Sequence, residues 1–258
     1  MYSAHDIVDG FPGKSTSHGA FGWSSVWLLL RDDRVVLVET GSPAYIPLLS
    51  ARLARLRLSV NEVTDILLTH AHWDHLSNIM MFPNAQVWIG AEELAWARTL
   101  PTDEPFISSL HIDELHRRGD DVNLIVGGVE IMPGISTIAT PGHTPGHLAY
   151  AVETDSAPLL FAGDSVKNLY ELATLQVDST LDLPASIDSI RRLRAHMQST
   201  GARLVPGHDT LLHLEGDSVR RTAPQRAQIS FFAGSEGEED RSIDDFAQGT
   251  AALIPPPA

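Results

Sequence analysis

The heptapeptide "THAHWDH" at residues 69–75 decides how the rest of the chain is interpreted. It holds three of the protein's twelve histidines and one aspartate within the six positions 70–75. Core packing gives no reason for such a cluster. Imidazole and carboxylate groups are ligands of Zn, Fe, Mn and Co, so the stretch predicts a metal site. Four such groups are too many for one open catalytic ion, which favours two adjacent ions completed by ligands from elsewhere.

The segments around the heptapeptide alternate between strand and helix patterns. "VTDILLT" (63–69) predicts a buried strand that ends at His70, with His70 and His72 able to point the same way. Before it, "VWLLL" (26–30) and "RVVLVET" (34–40) predict a hairpin, and "IPLLSARLARLRL" has leucines at helical spacing. After it, "AQVWIG" predicts a strand and "AEELAWARTL" a helix. The apolar residues of 101–120 follow neither the spacing of a helix nor that of a strand, and we expect a surface insertion there.

The second half repeats the order of strands followed by helices. Strands are predicted at "NLIVG", "VEIMPG", "ISTIAT", "HLAYAVE" and "PLLFAGD", and a last one at "ARLVPGHD" after a helix bounded by Pro184 and Gly201. We expect a closing helix at 218–232 and a mobile, acidic, proline-ending tail at 234–258. Two such halves make an α/β four-layer sandwich with a site between them. We expect residues 1–258 to form a single domain with its core at about 24–232.

Composition excludes several classes of function. The chain has 258 residues, 43% of them hydrophobic, which is enough for a full core. The formal net charge of −15 argues against nucleic acid as a partner. With no cysteine, there is no disulfide, thiolate nucleophile or thiolate metal ligand. The start, "MYSAHDIVDG", lacks the pattern of a signal peptide, and "VWLLL" is too short to span a bilayer. We therefore expect a cytoplasmic protein without a membrane partner.

Three later strand ends each carry one polar residue in a glycine-containing turn. These are His143 in "TPGHTPGH" (140–147), Asp164 in "FAGDS" (161–165) and His208 in "VPGHD" (205–209). Folds of the α/β class place functional groups at such ends. A lone loop histidine is usually a surface residue, and a lone aspartate can cap a turn, so these three gain weight only beside the heptapeptide. We interpret the following histidines as structural or surface residues: His5, His18, His111, His116, His196 and His213.

Taken in order, "THAHWDH", "TPGHTPGH", "AGDS" and "PGHD" resemble the metallo-β-lactamase superfamily over roughly residues 24–210. The resemblance implies the αβ/βα sandwich, in which two mixed β-sheets are flanked by helices. It also implies two divalent metal ions per chain, with Zn preferred over Mn, Fe or Co. The implied ligands fall into two triads and a bridge: His70, His72 and His143 for the first ion, Asp74, His75 and His208 for the second, and Asp164 between them.

Two further positions are interpreted through the same resemblance. "ETG" at 39–41 stands where the family usually has an Asp-Thr-Gly turn, so Glu39 is a departure. His147, the second histidine of "TPGHTPGH", is not a ligand in the family, and we expect it to pack or hydrogen-bond nearby.

A pair of dications predicts the reaction type. Together they convert a bridging water into hydroxide near neutral pH and polarise a carbonyl oxygen. The implied reaction is hydrolysis of a small ester-like bond by a metal-bridging hydroxide. The carboxyl group of Asp74 is expected to pass a proton to the leaving group as well.

Within the superfamily, the branch is chosen by exclusion. The chain has no cysteine ligand, it has the bridging Asp164 that histidine-only β-lactamases lack, and it has His72 where flavodiiron proteins have glutamate. The remaining resemblance is to small N-acyl-homoserine lactonases. These typically carry a tyrosine three residues after the bridging aspartate, and here that residue is Lys167, with Tyr170 the nearest tyrosine. We therefore name Lys167 and Tyr170 as candidate catalytic residues, and the acyl-homoserine substrate itself stays open.

Several alternatives remain at this point. A thioesterase or an amide or cyclic-amide hydrolase is the nearest, since the same centre serves those bonds. A mononuclear iron redox enzyme and a non-catalytic ligand-binding protein belong to other classes, and metal stoichiometry and esterase activity separate them. The expected partner is a small-molecule substrate, and a homo-oligomer is possible.

Overall fold

Seventeen strands occur among residues 1–15, 17–232 and 238–244, the parts of the chain that the computed structural model describes. Side chains are described for residues 1–15 and 17–227. In chain order the strands are β1 (Ser3–Val8), β2 (Lys14–Ser15), β3 (Gly19–Ala20), β4 (Val26–Arg31), β5 (Arg34–Val38), β6 (Asp65–Leu67), β7 (Gln86–Gly90), β8 (Val122–Ile125), β9 (Glu130–Met132), β10 (Ile135–Ala139), β11 (Leu148–Val152), β12 (Leu159–Gly163), β13 (Arg203–Pro206), β14 (Leu212–Glu215), β15 (Ser218–Arg221), β16 (Arg226–Phe232) and β17 (Glu238–Asp244).

Six α-helices complete these elements in the described part of the chain. They are α1 (Ile46–Arg55), α2 (Trp73–Leu76), α3 (Ala91–Ala97), α4 (Ser109–Arg118), α5 (Leu169–Thr174) and α6 (Leu183–Thr200). The end signals of α6 work as the sequence predicts: Pro184 lies in its first turn and Gly201 ends it with a φ of 70°. Asp182 caps the start, since its carboxylate accepts the Ala185 N–H at 3.0 Å.

The strands form two large mixed sheets. The first has the order β1-β4-β5-β6-β7-β8, and the second has the order β15-β14-β13-β12-β11-β10-β9. In the first sheet, β5 to β8 run parallel, so the carboxyl ends of these strands meet at one edge. In the second sheet, β12 and β13 are the parallel pair. Polar residues that follow β6, β12 and β13 are thereby brought to one side of the molecule.

Three apolar clusters separate four layers. Between the sheets, Val36 and Val38 of β5 pack with residues of β11 and β12 such as Tyr150 and Phe161. Leu37, on the opposite face of β5, packs with α1 to α4 on the outer side of the first sheet. This alternation follows from the two-residue period of a strand. A third cluster joins the outer face of the second sheet to α5 and α6. The predicted four-layer sandwich is confirmed.

Most of the predicted elements are confirmed, but four regions differ from expectation. The closing helix predicted at 218–232 is wrong, because β15 and β16 occupy that range. "NLIVG", assigned to the second half, forms β8 at the edge of the first sheet. The segment 101–120 contains α4, which buries Ile112 and Leu115 against the first sheet. The first strand, β1, had no sequence signal strong enough to predict it.

The tail expected to be mobile, residues 234–258, lies outside the described residues except for β17, which pairs antiparallel with β16. Within the described part of the chain, no helix is long and apolar enough to cross a membrane.

Candidate metal centre

The heptapeptide lies at the junction of the two sheets. Leu68 N–H donates to Trp88 O of β7, and Leu148 N–H of β11 donates to Thr69 O, each at 2.9 Å. The chain then turns into the single-turn helix α2, where His75 N–H donates to His72 O at 3.0 Å. Asp74 and His75 therefore lie on this helix, whereas His70 and His72 precede it. The assignment of these residues to two half-sites stays a prediction.

The other three predicted ligands come from loops of the second sheet. His143 lies in the loop between β10 and β11, Asp164 directly follows β12, and His208 lies two residues after β13. Because β12 and β13 are parallel neighbours, Asp164 and His208 come to the same edge. His143 Nε2 is 2.9 Å from His72 Nδ1, so the two sheets meet at this point.

Candidate ligand atoms cluster in three overlapping groups. Within each group the atoms lie within 4.8 Å of one another; the groups are His70, His72 and His143, then His70, His75 and Asp164, then Asp74, His75 and His208. The carboxylate of Asp164 joins the outer two groups. Its Oδ2 is 3.3 Å from His143 Nε2, while its Oδ1 is 3.3 Å from His208 Nε2 and 3.2 Å from His75 Nε2. One oxygen thus faces each half of the cluster.

Whether the buried polar atoms of the cluster are hydrogen-bonded tests how well these residues suit metal ions. His70 Nε2, His75 Nε2 and Asp164 Oδ1 are buried and make no hydrogen bond of good geometry in the described part of the chain, although His75 Nε2 and Asp164 Oδ1 lie 3.2 Å apart. Buried polar atoms without a well-formed hydrogen bond are costly, so these three atoms need an explanation. Divalent cations coordinated by these atoms provide it, because nitrogen and carboxylate oxygen are the ligand types such ions prefer.

Outer hydrogen bonds fix which nitrogen of each ring is free. His143 Nδ1 donates to Ser179 O at 2.9 Å, and His208 Nδ1 donates to Trp23 O at 3.0 Å. A carbonyl oxygen can only accept, so each Nδ1 carries a proton and Nε2 is the nitrogen left to face the cluster. Such outer partners are the usual means of orienting a metal-binding imidazole.

Glu39 occupies the space behind His75 despite its departure from the family pattern. Its Oε1 accepts the Thr69 N–H at 3.0 Å and lies 3.6 Å from His75 Nδ1. Glu39 has a φ of 63°, a conformation uncommon for a side-chain-bearing residue. The longer side chain therefore still reaches the imidazole and the backbone that precedes the heptapeptide histidines.

Burial keeps the first triad uncharged. It lowers the pKa of His72 to about 4, and it lowers the pKa values of His70 and His143 well below the ordinary histidine value. Neutral imidazoles are the form that binds a metal, so this half of the site is ready for a cation near neutral pH.

Carboxylates reverse the effect of burial at the other half. Burial opposes charging, but Asp164 and Asp74 raise the pKa of His208 and, together with Glu39, raise that of His75 well above the ordinary value. Burial also opposes ionisation of Asp164, yet His208, His75 and His143 hold the pKa of its carboxyl well below the usual range. A cation that binds here replaces protons beside the same carboxylates, so binding at this half releases protons.

Asp209 is a buried organiser of the site that the sequence did not reveal. Its carboxylate accepts Arg221 Nε at 2.8 Å, Gln225 Nε2 at 2.8 Å and the N–H groups of Leu169 and Thr210 at 2.9 and 2.7 Å. It thereby fastens the turn next to His208 to the start of α5 and to the end of β15. The "GHD" sequence was the available signal, but an aspartate after a ligand histidine looks like an ordinary turn residue.

We expect Asp209→Asn to lower the free energy of unfolding by about 3 kcal/mol, because it breaks a buried pair and leaves the Arg221 guanidinium without its carboxylate. Urea denaturation at neutral pH measures this change. Asp188→Asn is the matched control, since Asp188 pairs with Arg191 and both side chains are mostly exposed. A loss below about 1 kcal/mol, the range of a surface pair, would contradict the assignment of Asp209 as a buried organiser.

Lys167 and Tyr170 differ in their surroundings. The Lys167 side chain is 11% exposed, and its Nζ lies 3.0 Å from Glu171 Oε1. Burial is the main cause that lowers the pKa values of His72 and His143, and the charge of Lys167 adds to it. The hydroxyl of Tyr170, which is half exposed on α5, donates to Gln176 Oε1 at 2.5 Å. The roles of both residues stay predictions.

His147 is buried against the first triad without belonging to it. Its ring stacks on that of His70 with a centroid separation of 5.0 Å, and its Nδ1 lies 2.8 Å from Thr140 Oγ1. Among the candidate ligand groups of the described residues, His147 does not appear.

Apolar side chains border the centre. The ring of Phe106 lies 5.7 Å from that of His72 and is about half exposed, and Phe106 O accepts the Trp73 N–H. Trp73 packs so closely on Gly22 of the N-terminal loop that a β-carbon there would lie 2.1 Å from its ring. Leu181 is 64% exposed, and its N–H donates to Gly142 O beside His143. The segment 101–120 thus contributes Phe106 to the surroundings of the site.

Comparisons with known proteins agree with this geometry. The family model of the metallo-beta-lactamase superfamily matches residues 21–208. A hydroxyacylglutathione hydrolase of Saccharophagus degradans is 28% identical over 144 residues, which are 55% of this chain and 47% of that protein. An N-acyl homoserine lactonase of Bacillus sp is 25% identical over 158 residues, 61% of this chain and 60% of that protein. The match therefore spans less than two thirds of the length of either relative.

A solved structure shows the same fold. AidC, described as a dizinc quorum-quenching lactonase in complex with a product, superposes with a TM-score of 0.64 at 18% sequence identity. The superposition covers 76% of this chain and 78% of that one.

Proposed function

Because this chain belongs to the metallo-beta-lactamase superfamily, we propose that it is a binuclear metal-dependent hydrolase that cleaves a small ester-like bond, with a lactone as the favoured substrate. The observation that carries the proposal is the Asp164 carboxylate, whose two oxygens face two different groups of buried, candidate metal-binding nitrogens. A single ion would use only one half of this arrangement.

We assign His70, His72 and His143 to the first ion, Asp74, His75 and His208 to the second, and Asp164 to both. Two divalent ions held there supply a water of lowered pKa and polarise the oxygen of the scissile carbonyl. Zn suits this set of nitrogen and carboxylate ligands best, and Mn, Fe and Co also suit it.

The chain's own acid is Asp74. Its Oδ2 lies 3.5 Å from His208 Nε2 and 3.9 Å from His75 Nε2, at the outer side of the second triad. The side chain is 14% exposed, so a bound substrate can reach it. We propose that this carboxylate takes up the proton that the attacking water loses and passes it to the leaving oxygen.

Support for a small uncharged or anionic substrate comes from the surroundings of the centre. Phe106, Trp73 and Leu181 offer apolar surface, and the charge of Lys167 adds to burial in lowering the pKa of His143. The similarity to an N-acyl homoserine lactonase favours a lactone, and that to a hydroxyacylglutathione hydrolase makes a thioester the second candidate. Amides and cyclic amides follow, since the same centre can polarise their carbonyl groups.

The decisive experiment combines metal analysis with a substrate panel. Elemental analysis of the purified protein is expected to give two metal equivalents per chain. The loaded protein is expected to hydrolyse a lactone or thioester, and a chelator should remove this activity reversibly. One equivalent of iron would favour the redox alternative, and two equivalents without turnover of lactones, thioesters or amides would favour a ligand-binding protein.

We expect Lys167→Met to lower kcat/KM for the best substrate of that panel about 10²-fold, because Lys167 is proposed to donate to the developing oxyanion or to a substrate carboxylate. Metal content should not change. The substitution also removes the positive charge beside buried Glu171, so the double variant Lys167→Met/Glu171→Gln separates the two effects. Recovery of activity in the double variant would assign Lys167 a structural role, and a persistent loss supports substrate contact. The same measurements on Tyr170→Phe test that candidate.

The remaining predictions from sequence are kept as they stand. They are the single-domain organisation, the cytoplasmic location, the absence of nucleic-acid partners and the possibility of a homo-oligomer.

A further inference from the structure

Glu93 is a fully buried carboxylate that lies outside the proposed ligand set. It is the third residue of α3, and its neighbour Glu92 is exposed. Each of its oxygens has a separate backbone donor: Oε1 accepts the Ala71 N–H at 2.9 Å, and Oε2 accepts the Gly146 N–H at 3.1 Å. Two acceptor oxygens facing two donors suit a carboxylate and no other side chain of this length.

The two donors belong to the two loops that supply the first triad. Ala71 lies between His70 and His72, after β6 of the first sheet, and Gly146 lies three residues after His143, in a loop of the second sheet. The first ion is therefore proposed to bind between loops of different sheets. The spacing of its ligands depends on how those loops are held together, and the Glu93 side chain spans them.

The packing around Glu93 leaves no room for a looser arrangement. A β-carbon on Gly146 would lie 2.0 Å from Glu93 N, and one on Gly90 would lie 2.5 Å from Gly146 O. Both glycines thus allow the backbone of the His143 loop to lie directly on the start of α3. Without this close approach, the Gly146 N–H could not reach the carboxylate.

We propose that Glu93 is the positioning residue of the first metal triad: its carboxylate joins the His70–His72 loop to the His143 loop and thereby sets the ligand spacing. The inference rests on the proposed binuclear centre. Glu93 acts through the backbone of both loops, so its removal weakens metal binding at the first site without removing a ligand. The second triad, which comes from α2 and the His208 loop, is affected less.

Glu93→Gln tests this inference with little change of shape. Glutamine offers one acceptor oxygen, and its amide NH₂ faces a backbone N–H, so one of the two bonds is lost. Stepwise Zn²⁺ affinities are measured by competition with a chromophoric chelator, and Co²⁺ absorption reports the ligand geometry. The wild type should bind two equivalents. In the variant, the affinity for one of the two ions should fall about 10- to 100-fold, as is typical when an outer partner of a metal site is removed.

Glu92→Gln is the matched control, as the adjacent exposed carboxylate in the same helical turn, and should leave both affinities unchanged. If Glu93→Gln does not fold, Glu93→Asp, which keeps both oxygens on a shorter side chain, is measured in the same way and should show a partial loss. Unchanged affinities and an unchanged Co²⁺ spectrum, with only lower stability of the metal-free protein, would overturn the inference. Fewer than two equivalents in the wild type would instead overturn the proposed function.

Discussion

Replacement of Asp164 by asparagine is expected to lower kcat/KM for ester hydrolysis about 10³-fold, since the loss of several kcal/mol of metal-based stabilisation corresponds to a tenfold change for each 1.36 kcal/mol. The Asp164 carboxylate is the one described group whose oxygens face both triads, at 3.2 to 3.3 Å from three histidine nitrogens. Asparagine keeps the shape but offers a single acceptor oxygen and no charge. One ion should therefore lose its ligand, and metal content should fall from two equivalents toward one.

Steady-state kinetics and elemental analysis on the same preparation measure both effects. Asp155→Asn is the control, because Asp155 is an exposed carboxylate in the turn between β11 and β12 of the same sheet. It should retain the activity and the metal content of the wild type. Two retained equivalents together with near-normal activity in Asp164→Asn would refute the bridging role of this carboxylate.

The fold could be predicted from the heptapeptide because its candidate metal-binding residues are neighbours in the sequence. Three histidines and an aspartate within six residues cannot be explained by packing, and each later motif ends a strand with a single candidate ligand residue. Strong short-range patterns also predicted the β4–β5 hairpin and α6, whose cap residues are explicit in the sequence. These elements could be predicted because their local sequence signals agree with the long-range pairing in the fold.

Elements without a local signal were the ones missed. Residues 218–232 have a composition that also suits a helix, and antiparallel pairing with the neighbouring strands β14 and β17 decides in favour of strands. The strand β8 was predicted from its own residues, but its place in the first sheet depends on pairing with β7. Glu93 and Asp209 look like ordinary helix and turn residues in sequence, and their importance appears only when distant loops converge on their carboxylates. Supporting residues of a site are therefore harder to predict than its ligands.

Gly207→Ala is the second substitution with a large expected effect, and its effect is steric. Gly207 lies between β13 and His208, and a β-carbon there would be 2.0 Å from Asp164 Oδ1 and 3.0 Å from the backbone of Gly163. Its φ is not positive, so conformational freedom is not the reason for glycine at this position. Its N–H also donates to Gly163 O at 2.9 Å, which keeps the two strand ends together. The added methyl group must displace either the bridging carboxylate or the His208 loop.

We expect Gly207→Ala to lower kcat/KM at least about 10²-fold, since a displacement of about 1 Å at reacting groups can have that effect. Overpacking should also cost about 1–3 kcal/mol of stability. Gly201→Ala is the control that separates the two: Gly201 has a φ of 70° and open space around it, so alanine there is strained but far from any clash. It should lose about 1–2 kcal/mol of stability and keep full activity. If Gly207→Ala behaved like Gly201→Ala, with lower stability but normal metal content and turnover, the Asp164 oxygen next to Gly207 could not be a metal ligand.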